Sequence, residues 1–299
     1  MMRRLLVVTF CVLCAPTTGA QRPLKVYISA DMEGITGVAS ADQLSPASFE
    51  YGKAREWMTA EVLAAIAGAR EAGATEFVVS DSHGNGESLL LEKFPTDIPV
   101  TLVRSFPRPL GMMEGIDSSF AAVIFIGYHA ATTSTTGVRA HTMSSALLTR
   151  IALNNTAQSE AGINAAIAAH FGVPVVMITG DDAIVNETKQ RLGNLEGVIV
   201  KRAIGFHSTA TMMPETAQAQ IRAHAKTAVT RRAEMKPYTM TKPINVDVSF
   251  KNYRPAELLA YLNVIQRVDA HTIRLVARDM IEASKFLEFA TSYDPAITP

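Results

Sequence analysis

The stretch LKVYISADMEG, residues 24–34, is a short apolar run that ends in two carboxylates and a glycine. Two later runs have the same form: EFVVSDSHG at residues 76–84 and AAVIFIGYH at residues 121–129. Open α/β sheets hold their ligands at the carboxyl ends of their strands. Three strand ends that carry Asp, Glu and His therefore predict one site assembled from distant parts of the chain.

Strands and helices alternate along most of the sequence. The run at residues 121–126 is apolar throughout, as expected of a strand buried on both faces. Further strands are predicted at residues 100–104, 149–153, 175–179 and 198–201, and helices at residues 49–72, 159–171 and 183–192. This alternation predicts an α/β fold with a mainly parallel sheet covered by helices on both faces.

The pattern changes after Arg232. Apolar and polar residues alternate at 244–250, and a helix, a strand and a C-terminal helix are predicted after them. We therefore expect an α/β metal-binding catalytic domain at residues 21–235 and a smaller α+β lobe at residues 236–299 packed on it.

The N-terminus has the layout of a secretory signal peptide. A basic start, MMRR, precedes the apolar run at residues 5–13, and a segment rich in small residues ends at Ala20. The expected signal peptide is residues 1–20, so the protein is predicted to be periplasmic or secreted. Cys11 and Cys14 both lie in this segment, which leaves the mature chain without thiols. A metal site there would use His and carboxylates, which suits zinc, manganese or iron.

Composition excludes several classes of function. The chain has 299 residues, 48% of them hydrophobic, and a formal net charge of zero. That length supports a large core, and the charge balance indicates neither a nucleic-acid partner nor a membrane partner for the mature protein. The sequence has no P-loop, dinucleotide-binding glycine motif or serine nucleophile elbow.

Five residues are candidate metal ligands, and each also has a purely structural interpretation. Asp31 and Glu33 are two apart in extended backbone and so point the same way, although loop carboxylates are usually solvated. His83 lies in a glycine-flanked loop and fits a surface residue as well as a ligand. His129 directly follows a buried strand, where a hydrogen-bonded structural His is the alternative. Glu160 opens a helix, where its charge favours the helix dipole.

Taken together, two His and three carboxylates at one sheet edge are enough for two metal ions if one carboxylate bridges them. Two metals roughly 3.5–4 Å apart can share a hydroxide that acts as the nucleophile in hydrolysis. His141 follows the polar loop at residues 132–137 and is left for acid–base chemistry. Asp181 and Asp182 follow another strand end, where capping of the next helix is an alternative to a role in the site.

Six motifs in this chain resemble those of the zinc-dependent D-aminopeptidases that are encoded with bacterial dipeptide transporters. In order they are SADMEGITG at 29–37, DSH at 81–83, GYHA at 127–130, HTM at 141–143, EAGIN at 160–164 and GDD at 180–182. The resemblance runs from about residue 25 to near residue 293 and is most specific in its early motifs. The signal peptide departs from the family pattern, because the relatives begin at the first strand and look cytoplasmic.

The resemblance implies two zinc ions per chain. Asp31 would bridge them, Glu33 and His129 would complete one zinc, and His83 and Glu160 would complete the other. His141 would be the catalytic residue, which some descriptions of the family make a nucleophile. An acid–base role is preferable on physical grounds, because a shared hydroxide is already a competent nucleophile. The resemblance also implies a ring-like homo-oligomer.

The function expected on these grounds is that of an exported aminopeptidase. It would remove the N-terminal residue, a D-amino acid, from short peptides or aminoacyl amides. Two alternatives stay open. One is another metal-dependent hydrolase on the same scaffold, such as an amidase or phosphoesterase, because ligand geometry does not fix the bond cleaved. The other is a non-catalytic exported peptide-binding protein.

Overall fold

A computed structural model describes residues 23–293 of the chain. Its strands are β1 Lys25–Ala30, β2 Glu76–Asp81, β3 Val100–Val103, β4 Phe120–Tyr128, β5 Leu148–Leu153, β6 Thr156–Ala157, β7 Val175–Asp181, β8 Glu196–Gly205, β9 Ser208–Thr211, β10 Ile244–Phe250, β11 Ile265–Arg267 and β12 Thr272–Ala277. Its helices are α1 Tyr51–Glu71, α2 Glu160–His170, α3 Asp182–Leu192, α4 Pro214–Thr230, α5 Tyr253–Leu259 and α6 Met280–Ser292.

The larger sheet has seven strands in the order β3-β2-β1-β4-β7-β8-β9. The first six are mutually parallel, and β9 runs antiparallel to β8 at the edge. The apolar runs at β1, β4 and β7 lie in its centre and are almost wholly buried. This confirms the mainly parallel α/β sheet predicted from the sequence.

Helices cover both faces of this sheet, as predicted. One face packs against α1 and α4, through a core that includes Val26, Met58 and Ile221. These two helices touch closely at Gly68, where a Cβ would lie 2.0 Å from the carbonyl oxygen of Arg222. The other face packs against α2 and α3, through a core that includes Phe125 and Ile163.

The second sheet is antiparallel and has the order β11-β12-β10-β5-β6. With α5 and α6 it forms the smaller α+β lobe that the sequence predicts after residue 235. One expectation differs: the strand at residues 148–153 pairs with β10 and not with the parallel sheet. The lobe therefore includes a hairpin from residues 148–157, while the boundary at 235 and 236 stays a prediction.

Two points concern the expected signal peptide and membrane-spanning helices. The expected signal peptide, residues 1–20, lies outside the described residues. Within residues 23–293, no helix combines the length and the apolar character that a bilayer crossing requires.

Candidate metal centre

Three neighbouring strands of the larger sheet end at the candidate site. β1 lies between β2 and β4 and runs parallel to both, so the three carboxyl ends meet at one edge. Asp31 and Glu33 follow β1, His83 follows β2, and His129 follows β4. All four side chains are buried. The interpretation of His83 as a surface residue is therefore wrong.

Asp31 lies between the two histidines. Its Oδ1 is 3.4 Å from Nδ1 of His83, and its Oδ2 is 3.3 Å from Nε2 of His129. Each histidine also faces a second carboxylate: Glu33 lies 2.9 Å from His83, and Glu160 lies 3.2 Å from His129. Asp31 is thus the carboxylate shared by two halves of the cluster.

Backbone carbonyl oxygens fix the orientation of three histidine rings. One ring nitrogen lies 2.8 Å from such an oxygen in His83, 3.1 Å in His129 and 2.8 Å in His141. A carbonyl only accepts hydrogen bonds, so that nitrogen carries the proton. When such a ring loses its other proton to bind metal, the second nitrogen is left with its lone pair, which is the arrangement by which proteins orient metal-binding histidines.

Glu160 and His141 reach the cluster from outside the three strand ends. Ser159 caps helix α2, and Glu160 is the first helical residue. Its Oε1 accepts a 2.6 Å hydrogen bond from the backbone N–H of Met143, while its Oε2 faces His129. The His141 ring stacks on the His129 ring, with centroids 4.1 Å apart. Glu160 therefore contacts the site as well as opening a helix.

The electrostatics of the cluster favour positive charge between its carboxylates. Burial raises the pKa of Asp31, and the neighbouring Glu33 carboxylate raises it further. Burial opposes ionisation of His83 and His129, but the surrounding carboxylates outweigh it and hold both pKa values well above the usual one. Burial also acts to raise the pKa of Glu33, yet the His83 charge lowers it well below the usual value.

These residues fit bound metal. Among residues 23–293, Oδ2 of Asp31 and Nε2 of His129 are buried atoms without a hydrogen-bond partner. Such atoms are costly when unpaired, and a cation between them would satisfy both. The potential ligand atoms form two sets, each within 4.8 Å: Asp31, Glu33 and His83 in one, and His129, His141 and Glu160 in the other. Nitrogen and oxygen donors in groups of three suit zinc.

The two sets differ from the pairing that the resemblance implies. That pairing joins Glu33 to His129 and His83 to Glu160. The geometry instead places Glu33 beside His83 and Glu160 beside His129. The central position of Asp31 is common to both. The assignment of individual ligands to individual ions stays a prediction.

The cluster forms the floor of a cleft of about 320 Å³. Asp31, Glu33, His83, His141 and Glu160 line it on one side. The other lining residues are Ser82, Gly84, Phe106, Met112, Met143, Ser144, Glu288, Thr291 and Ser292. A volume at the lower end of the range for ligand pockets suits a small molecule.

Comparison with known proteins identifies the family. A family model described as D-aminopeptidase matches residues 24–289. The chain belongs to this D-aminopeptidase family. The D-aminopeptidase of Bacillus subtilis (strain 168) is 31% identical over 261 residues, which is 87% of this chain and 94% of the relative.

A solved structure of the D-aminopeptidase family shares the fold. It is the Zn-dependent D-aminopeptidase DppA from Bacillus subtilis, described as a self-compartmentalizing protease. The TM-score is 0.85 at 29% identity, over 90% of this chain and 97% of that chain. These findings confirm the predicted family, α/β fold and peptidase class.

Two buried charges that were not predicted from the sequence hold the loop after β1. Lys201, in β8, donates hydrogen bonds to the backbone carbonyls of Glu33, Ile35 and Val38. Glu61, in α1, accepts a 2.8 Å hydrogen bond from the backbone N–H of Thr36. Burial lowers the pKa of Lys201 to about 8 and raises that of Glu61 to about 7. The one signal in the sequence was a lysine directly after the apolar run at residues 198–200.

We expect Lys201→Met to weaken zinc binding through the loop that bears Glu33. Three buried carbonyls would lose their donor, so the free energy of unfolding should fall by about 3 kcal/mol. Zinc affinity should fall roughly 10- to 100-fold, as when other supporting groups of metal ligands are removed. Competition with a chromophoric chelator measures the affinity, and urea unfolding measures the stability. Lys93→Met is the exposed control, and unchanged zinc affinity in Lys201→Met would contradict the prediction.

The remaining candidates serve structural roles. Asp181 caps helix α3 through the backbone N–H of Ile184. Its second oxygen accepts from the N–H of Val138 and so anchors the polar loop that precedes His141. Asp182 accepts from the N–H of Ala203. The capping role weighed from the sequence is confirmed for Asp181.

Proposed function

We propose that this chain is an exported di-zinc aminopeptidase that removes the N-terminal residue, of D configuration, from short peptides or aminoacyl amides. The observation that carries the proposal is the position of Asp31, whose two oxygens face two different histidines at 3.4 Å and 3.3 Å. Each of those histidines has a second carboxylate of its own. This arrangement supports two ions with one bridging ligand.

The residues of the site have two different roles, metal binding and proton transfer. Asp31, Glu33, His83, His129 and Glu160 would hold the metal. Zinc bound there would supply Lewis-acid activation of water and of the scissile carbonyl. His141 keeps one nitrogen on a backbone carbonyl and has the other available to hold or release a proton at the reacting groups.

Among the alternatives, a phosphoesterase is the less favoured hydrolase. None of the described residues that line the cleft is a lysine or an arginine. Enzymes that act on phosphoryl groups usually add such cations to their metal ions. The cleft instead has carboxylates and small polar groups, which suit an uncharged amide and a cationic amine. A non-catalytic binding protein would not need the free nitrogen of His141 beside the metal ligands.

We also propose a homo-oligomer, in line with the self-compartmentalizing relative. Several large apolar side chains are exposed in the described chain, and five of them lie close together in sequence: Tyr253, Leu258, Tyr261, Leu262 and Val264. Exposed apolar surface of this kind is typical of interfaces. Sedimentation velocity of the mature protein tests this part of the proposal, and a monomer at micromolar concentration would overturn it.

Export is the third part of the proposal and rests on residues 1–20. N-terminal sequencing of the protein from a periplasmic or culture-fluid fraction tests it. A mature end near residue 21 would support export. An intact Met1 in a cytosolic fraction would exclude it.

We expect removal of zinc by a chelator to abolish hydrolysis, and added zinc to restore it. The zinc affinity should fall as the pH is lowered, because the pKa values of His83 and His129 are raised and both rings must lose a proton to bind metal. Elemental analysis at several pH values measures the metal content. A panel of D- and L-aminoacyl amides and phosphoesters measures the activity. Full turnover in a metal-free preparation would contradict the proposal.

A further inference from the structure

Helix α6 contributes three residues to the lining of the cleft that also contains the metal-centre residues. Glu288, Thr291 and Ser292 all line the cleft. Thr291 and Ser292 follow Glu288 by three and four residues, so both lie on the face of the helix that carries Glu288. Helix α6 thus contributes one carboxylate and two hydroxyl groups to a cleft whose other carboxylates belong to the metal cluster.

Glu288 has no salt bridge within 4.0 Å in residues 23–293, in contrast to many carboxylates of this chain. The backbone N–H of Arg108 is within hydrogen-bonding reach of this carboxylate, and the charge of Arg108 also acts on it. The guanidinium of Arg108 has its hydrogen bonds elsewhere. It donates to the backbone carbonyl of Asp81 at 2.9 Å and to the hydroxyl of Ser80 at 3.2 Å. It also stacks on Phe106, 3.7 Å from the ring centroid.

Glu288 is half-buried beside a glycine. The glycine leaves space for the carboxylate, and the burial limits its hydration. Its Oε1 lies against Gly111, where a Cβ would approach to 2.5 Å. Burial raises the pKa of Glu288 to about 7, although Arg108 opposes the shift. A half-buried carboxylate without a matched cation is stabilised when a cationic ligand reaches it.

A second carboxylate nearby provides a contrast. Glu114 accepts a 2.9 Å hydrogen bond from the backbone N–H of Leu110 and stabilises its own turn. It does not line the cleft. Among residues 23–293, Glu288 is therefore the one carboxylate of the cleft lining that is outside the metal cluster.

We propose that Glu288 binds the α-ammonium group of the substrate. The inference rests on the proposed aminopeptidase function and adds the group that selects a free N-terminus. A peptide that places its scissile carbonyl at the metal cluster has its ammonium on the next carbon of the same residue, so the ammonium also lies in the cleft beside the cluster. No lysine or arginine of the described residues lines the cleft to repel that ammonium. Glu288 is then a specificity-determining residue.

The test compares Glu288→Gln with the zinc-loaded wild-type enzyme. The two substrates are a D-aminoacyl amide and the matching α-hydroxyacyl amide, which has no ammonium. A charge-assisted hydrogen bond is lost only with the first, so its KM should rise roughly 10- to 100-fold in the variant. The kcat for both substrates and the KM for the hydroxyacyl amide should change little.

Glu282→Gln is the matched control. Glu282 lies in the first turn of the same helix, pairs with Arg278 and does not line the cleft. It should leave both substrates unaffected. An equal loss on both substrates in Glu288→Gln would indicate a structural role and overturn the inference, as would an unchanged KM for the aminoacyl amide.

Direct binding separates this inference from the proposed function. Calorimetry with D-alaninol, an amine that has no scissile amide, and the zinc-loaded protein does not require turnover. Weaker binding to Glu288→Gln than to the wild type supports the inference, and equal binding overturns it. The absence of turnover with every aminoacyl amide would instead overturn the proposed function.

Discussion

Asp31→Asn is expected to remove zinc and hydrolytic activity together. The two oxygens of Asp31 face His83 and His129, so this single change affects both halves of the cluster. The amide has no charge to balance the cations and has a nitrogen where one of the two oxygens was. Zinc affinity and turnover should each fall more than about a hundredfold, the upper end for loss of a group that only supports ligands.

The variant should still fold. Oδ1 of Asp31 accepts a 2.8 Å hydrogen bond from the backbone N–H of Met32, and the amide oxygen of Asn can accept the same bond. Circular dichroism and the unfolding midpoint of the metal-free protein check this point. Asp42→Asn, at an exposed position, is the matched control. A variant with two zinc ions and wild-type turnover would show that Asp31 is not the carboxylate that both ions need.

The zinc content of further variants decides which ligands share an ion. If Glu33 and His83 hold one zinc, the variants Glu33→Gln and His83→Ala and their double variant should all lose one equivalent. Combining Glu33→Gln with His129→Ala should then lose both. The pairing implied by the family resemblance gives the opposite result, because Glu33 and His129 would belong to one ion.

The strand ends were predictable because their chemistry is local. Buried parallel strands are apolar throughout, so a carboxylate or imidazole directly after such a run marks the sheet edge. Asp31, Glu33, His83 and His129 were found in this way. Glu160 and His141 were harder to predict, since neither directly follows a strand. Glu160 was included because two metal ions require a further carboxylate, and His141 was included because it follows a polar loop.

Contacts between distant segments were not predictable. The sequence at residues 149–153 indicates a strand but does not say which sheet it joins. Its pairing with β10 spans about a hundred residues of chain and depends on packing that no local pattern records. Lys201 is similar, because its partners are backbone carbonyls 163 or more residues away. Backbone acceptors are present at every residue, so the sequence does not identify them.

His141→Ala is expected to separate catalysis from metal binding. If His141 moves a proton, zinc content should stay at the wild-type level while kcat falls about 10²- to 10⁴-fold, the usual contribution of a general acid or base. His141 stacks on His129 and lies within 4.8 Å of the ligand atoms of His129 and Glu160, so a role as a third ligand is the competing result. Loss of one zinc equivalent in the variant would establish that role instead.

Two further readouts of the His141 variant distinguish proton transfer from a general disturbance of the site. Added imidazole should restore part of the activity of His141→Ala, because the deleted ring leaves space at the edge of an open cleft. The pH–rate profile of the variant should lose one limb, since one proton-transfer group is gone. His271→Ala, at an exposed position, should show neither effect. A variant with full zinc, no rescue and an unaltered profile would argue that His141 acts through His129, by holding that ring against the metal.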